Sequence, residues 1–305
     1  MTETTKAPKT WRDHLKALSG ALLIVGSSLL LLEALLRLID PWGLRYFDDL
    51  ARMGNELFVY DEARGYLLQD GDHVFSHWRA SIRQGERVVP NTNPEAACTL
   101  AVLGDSVAFG YGVDDEQAWV NLLAARFPQV HIINAAVPRY NSTNVLLSAR
   151  DLEARGSVDA YFYLIIGNDT EGSIDVRTFR FVGDGGGLPQ IVRYLNFALF
   201  RGVGTDYSPP PEGDTTTLGD SEVLRRLLNE MAELNTIPNM HFAAFQYEPL
   251  TNTLLAEGFN VALLRYPDRR ISVADYHLDP QGNVELAENI EPLWEAILSQ
   301  TCLNR

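Results

Sequence analysis

The feature that most constrains this chain is a run without charge from Ala17 to Leu32, resumed after Glu33 by Ala34, Leu35 and Leu36 and, beyond Arg37, by Leu38 and Ile39. As a helix rising about 1.5 Å per residue, residues 17 to 39 reach roughly 34 Å, enough to cross a hydrocarbon core of about 30 Å. Glu33 and Arg37 stand four apart on one face near the far end, where an ion pair can lie at headgroup level. Ahead of the run, Lys6, Lys9, Arg12 and Lys16 outnumber Glu3 and Asp13. The positive-inside rule therefore keeps residues 1 to 16 in the cytoplasm and exports everything after Pro41. The exit through Leu36, Arg37, Leu38, Ile39 and Asp40 offers a poor cleavage site, which favours an uncleaved anchor over a signal peptide.

The 305 residues are 46% hydrophobic and 21% charged, too apolar for a disordered chain and enough for a sizeable core. With 25 Lys and Arg against 40 Asp and Glu, the formal charge of -15 excludes a broad nucleic-acid surface. Two cysteines, Cys98 and Cys302, exclude a disulfide-rich scaffold and a four-cysteine zinc site. In an exported domain the two can pair, but sequence does not set their distance.

Residues 40 to 95 mix aromatics and charges without clean periodicity and read as an irregular collar or linker. From 96 to 305 the pattern is orderly. Short apolar runs at 98–103, 130–133, 161–166, 241–247 and 261–266 alternate with helical spacing at 118–127, 145–154, 221–234 and 282–298. This alternation implies an α/β domain, a three-layer sandwich with a mostly parallel five-stranded sheet covered on both faces. The interval 171–220 breaks the rhythm with Gly185-Gly186-Gly187, Pro209-Pro210-Pro211 and an apolar island from Ile191 to Phe200. A loop of this length reads either as a lid beside the active site or as an insertion of no catalytic role.

In a parallel sheet the ligand crevice lies beyond the carboxyl ends of the strands. The first run ends in Gly104-Asp105-Ser106, a tight turn that can present a hydroxyl to the crevice while its amide faces a developing oxyanion. The third ends in Gly167-Asn168-Asp169, where the Asn168 amide can donate into the same crevice, or simply form an Asx turn. Near the end of the chain, Asp275-Tyr276-His277 precedes a helix. Residues two apart in an extended segment lean the same way, so Asp275 can orient His277, and His277 can take the proton from Ser106.

These blocks, in this order, resemble the SGNH or GDSL-type hydrolases over roughly residues 96 to 300. The resemblance implies Ser106 as nucleophile, His277 as base, Asp275 as its partner, and an oxyanion hole made by the amides of Ser106 and Ala136 with the side chain of Asn168. At Ala136, within Asn134-Ala135-Ala136-Val137-Pro138-Arg139, the family usually keeps glycine; alanine adds a methyl group and an intolerance for positive φ. Arg139 also stands where a membrane-anchored bacterial branch of the family often has glycine. That branch has a similar apolar start and collar. It implies an inner-membrane, single-pass protein with a periplasmic domain, acting on an ester or acetylated carbohydrate alongside envelope polysaccharide machinery.

The function expected is a serine esterase, with two alternatives left open: an O-acyltransferase using the same triad, and a non-catalytic binding or scaffold protein of an envelope complex. No cofactor or metal is expected. His73 and His77, beside Asp70 and Asp72, read as solvated loop residues, and the stripe Trp119, Leu122, Leu123 and Phe127 as helix-to-sheet packing.

Overall fold

The structure is a computed structural model that describes residues 10–170, 189–201, 212–272 and 275–302. The chain opens with α1 (Trp11–Ile39), a helix whose apolar side chains are nearly all exposed, and α2 (Arg45–Glu56). Five short strands follow: β1 (Phe58–Asp61), β2 (Gly65–Leu68), β3 (Gly71–Val74), β4 (Arg79–Arg83) and β5 (Glu86–Arg87). Then come β6 (Thr99–Gly104), α3 (Ser106–Phe109), α4 (Trp119–Arg126), β7 (His131–Asn134), α5 (Ser142–Arg155) and β8 (Ala160–Ile165). The described remainder comprises α6 (Gln190–Asn196), α7 (Glu222–Leu234), β9 (Met240–Phe245), α8 (Pro249–Ala256), β10 (Val261–Leu264), β11 (Arg270–Ser272), β12 (Asp275–Leu278) and α9 (Pro280–Thr301).

Five strands, in the order β10-β9-β8-β6-β7, form the expected parallel sheet. Both β6 and β8 are buried along their whole length, because the helices cover both faces. On one side α4 meets α9, with Trp119 and Trp294 edge to face at 5.9 Å; α5 meets α7 elsewhere.

The collar differs from the expected irregular linker. Its β5, β4 and β3 continue the sheet beyond β7 as antiparallel strands, making it eight-stranded, with Arg87 opposite Asn134. The period-two signal was there but short. In β4, Ala80 and Ile82 are buried between the outward-facing Arg79, Ser81 and Arg83, and five residues among so many charges give too little pattern to read.

Strands β6 and β8 are the first and third of the parallel set in chain order, and they lie side by side, so connections leave them in opposite directions. That juxtaposition is the switch point at which doubly wound sheets open a crevice. The disulfide Cys98–Cys302, with Cα atoms 5.6 Å apart, joins the residue before β6 to the one after α9.

Candidate active site

Ser106 follows β6 immediately and Asn168 follows β8, so the switch point brings the first and third motifs together. Gly104 makes the turn work. Its φ is +141°, and a Cβ there would stand 2.7 Å from Ala108 Cβ and 2.8 Å from the Leu164 carbonyl, so only glycine lets β6 lie this close to β8. Asp105 then caps α3, its Oδ1 accepting from the Val107 amide at 2.9 Å.

Asp275 and His277 come from β12, where their two-residue spacing sets both on one side of the strand. The Asp275 Oδ1 accepts from the His277 backbone amide at 2.9 Å and lies 2.6 Å from ring Nδ1. With Nδ1–H donating to that carboxylate, Nε2 is the acceptor, and it lies 2.8 Å from Ser106 Oγ. The imidazole sits between the rings of Tyr111, at 4.4 Å, and Tyr276, stacked at 4.5 Å. Gly112, with φ +85°, brings the Tyr111 loop against β11: a Cβ there would be 2.8 Å from Ile271 Cδ1.

The third group, Ala136, follows β7. The amides of Ala135 and Val137 donate to the Val102 and Gly104 carbonyls of β6. The intervening Ala136 amide donates instead to Asn134 Oδ1, at a long 3.2 Å. Ala136 is buried and does not adopt a positive φ, so alanine is unstrained where the resemblance leads one to expect glycine. Arg139 does adopt one, at +65°, a backbone conformation that favours glycine.

Asp105 was quoted in the sequence only as a neighbour of Ser106, yet it links two of the motifs. Its buried Oδ2 lies 3.0 Å from Ser106 Oγ and accepts from Asn168 Nδ2 at 2.8 Å. Burial pushes its carboxyl above the usual range, against the opposing pull of the Val107 amide and the Asn168 side chain. One N–H of Asn168 is thus engaged, and its amide carries a second. Asp169, next along, is buried too and accepts from the Tyr163 hydroxyl and, at 2.8 Å, from the Ile166 amide. Burial raises its carboxyl far above the usual range.

Arg87 was also missed, since a lone arginine in a charged collar carries no signal. It is fully buried and pairs with Asp115 at 2.9 Å. It also donates to the carbonyls of Phe109, Gly110 and Val113 at 2.6 to 2.8 Å, fastening the loop that follows the serine helix.

At Asn168 and at Val107, the residue after Ser106, opens a cavity of about 300 Å³, lined also by Ile166, Phe245, Leu250, Tyr266 and Tyr276. Leu218 also lines it and is the described part of the 171–220 interval that reaches the site. Of the interval read either as a lid or as an insertion of no catalytic role, 171–188 and 202–211 lie outside the described residues, and 189–201 packs against α1. His73 and His77 are not brought together. The ring of His73 meets the Gln69 carbonyl at 2.8 Å and that of His77 lies 3.9 Å from Asp40, and the described residues hold no cluster of three metal-type ligands.

No protein-family model and no curated protein matches this chain. Solved structures do. The fold is similar to that of GDSL-type proteins. A member of the lipolytic protein G-D-S-L family from Veillonella parvula shares 11% identity at a TM-score of 0.39, covering 65% of this chain and 99% of its own. Est24, a carbohydrate acetylesterase from Sinorhizobium meliloti, shares 13% at a TM-score of 0.39, covering 66% and 99%. The esterase EstA from Pseudoalteromonas shares 15% at a TM-score of 0.32, covering 68% and 99%. Identities this low transfer no residue's role.

Proposed function

We propose that this protein is a membrane-anchored serine ester hydrolase of the SGNH type, with Ser106, His277 and Asp275 as its triad. The observation that carries this assignment is the chain of short contacts from Asp275 Oδ1 through His277 to Ser106 Oγ, at 2.6 and 2.8 Å, beside an apolar cavity. Ser106 Oγ attacks the ester carbonyl carbon as its proton passes to His277 Nε2, and Asp275 stabilises the imidazolium. The carbonyl oxygen, now an oxyanion, meets the Ser106 amide and the second N–H of Asn168, with the Ala136 amide turning to it from its long bond to Asn134. His277 returns the proton to the leaving alcohol oxygen as the carbon–oxygen bond breaks. Water, deprotonated by the same imidazole, then attacks the acyl carbon and releases acid and free serine.

The substrate is an ester whose acyl group enters the cavity, with an acetylated envelope carbohydrate as the class that the family resemblance implies. Helix α1 anchors the chain in the bacterial inner membrane, N-terminus cytoplasmic and catalytic domain periplasmic. The span His14–Ile39 has the length and apolarity to cross a bilayer, and the disulfide belongs to an oxidising compartment. Release of acid from short-chain and sugar acetates by the detergent-solubilised full chain tests this. Ser106→Ala and Asp275→Asn are expected to lower kcat by about 10³-fold or more. Equal turnover in wild type and Ser106→Ala would refute it.

A further inference from the structure

Helix α6 and the turn that continues it, Phe197–Arg201, are apolar on both sides. The inward side chains, Tyr194 and Phe197, pack on Leu36, Trp42 and Leu44 at the end of α1. The Trp42 ring lies 4.8 Å from that of Tyr194 and 5.7 Å from that of Phe197. The outward ones, Val192, Leu195 and Leu199, follow a spacing of three and four on one face and are 46%, 56% and 71% exposed. No charged side chain described between 190 and 199 is exposed, because Arg193 turns inward to the Leu44 carbonyl.

The contact with α1 resolves the oddest residue of the span. Glu33 accepts from the amides of Gln190 at 2.8 Å and Ile191 at 3.0 Å, so its carboxylate caps the start of α6, while Arg37 pairs with it at 2.6 Å. Tyr194 donates its hydroxyl to Asp40 at 2.7 Å. Glu33 lies about 9 Å before the end of α1 at Ile39, at roughly 1.5 Å per residue, a depth at which interfacial helices seat their apolar faces. Trp42 and Tyr194, beside Asp40 just past that end, are the residue types that concentrate where hydrocarbon meets headgroups.

Resting on the anchor assigned above, we infer that 190–199 is an interfacial membrane element: Val192, Leu195 and Leu199 enter the headgroup and acyl boundary of the bilayer that α1 crosses. The protein is then held at two points, and the polar cleft between Asp40, His77, Arg270 and Ser272 faces the membrane surface on the side of the β11–β12 hairpin that carries His277.

The test uses the full chain, one copy per phosphatidylcholine–phosphatidylglycerol nanodisc, with nitroxide labels on Leu195→Cys, Leu199→Cys, Leu30→Cys and Val74→Cys in turn, the native disulfide kept oxidised. Each of these side chains is exposed, so labelling leaves the fold intact. Labels at 195 and 199 are expected to show a several-fold higher ratio of oxygen to nickel-chelate accessibility than the label at 74. A nickel-accessible label at 195 with an oxygen-accessible one at 30 overturns the interfacial element and keeps the anchor. A label at 195 closed to both relaxers means protein covers the face, and also overturns it. A nickel-accessible label at 30 removes the anchor and the inference together.

Discussion

At the scale of single residues, Asp105 has the widest reach. It contacts both Ser106 and the amide of Asn168, so in the proposed reaction it is placed to orient them, not to react. Asp105→Asn puts an amide against an amide and releases Asn168 from its orientation. The expected result is a fall in kcat on the order of 10²-fold with KM little changed, comparable to loss of one oxyanion donor. Asp169 gives a pH prediction. Its folded carboxyl binds a proton more tightly than the unfolded one, whose ordinary value is 3.8. The native state thus holds the extra proton above that pH, and stability falls as pH rises through the elevated folded value. Asp169→Asn removes that slope. The Tm of the wild type, followed from acid to neutral pH, is expected to decline more than that of the variant.

At the scale of elements, the loop after α3 depends on Arg87, a cation from a strand of two residues that satisfies three carbonyls and Asp115. Arg87→Met leaves Asp115 buried without its partner and is expected to cost about 3–5 kcal/mol in urea unfolding. Adding Asp115→Leu is expected to recover much of that loss. These two residues also mark where sequence legibility ends. The serine and asparagine motifs are readable because each sits at the end of an apolar run, and the histidine motif because it directly precedes a helix, places where short-range spacing determines geometry. Asp275 and His277 needed only a period of two. Arg87 with Asp115, and Asp105 with Asn168, are pairings across elements, 28 and 63 residues apart, and no local pattern encodes them. The collar strands escaped for a different reason, being two to five residues long.

At the scale of the whole molecule, the disulfide closes a loop of separation 204, tying the first parallel strand to the last helix. A double Cys98→Ser, Cys302→Ser variant is expected to lose about 2–5 kcal/mol of stability, read as a lower urea midpoint with no change in the triad. The parallel sheet and its helices are legible in the sequence because buried strands and amphipathic helices have distinct periods. The described part of the 171–220 interval is not. Its apolar island suggests a lid, and only the structure places it on Glu33 and Trp42. The triad itself is tested most directly by treating the solubilised full chain with a fluorophosphonate and measuring intact mass beside Ser106→Ala and His277→Ala. An activated serine predicts a single stoichiometric adduct on Ser106, absent from both variants. A folded wild type that takes no adduct, or takes it equally in Ser106→Ala, would contradict the account.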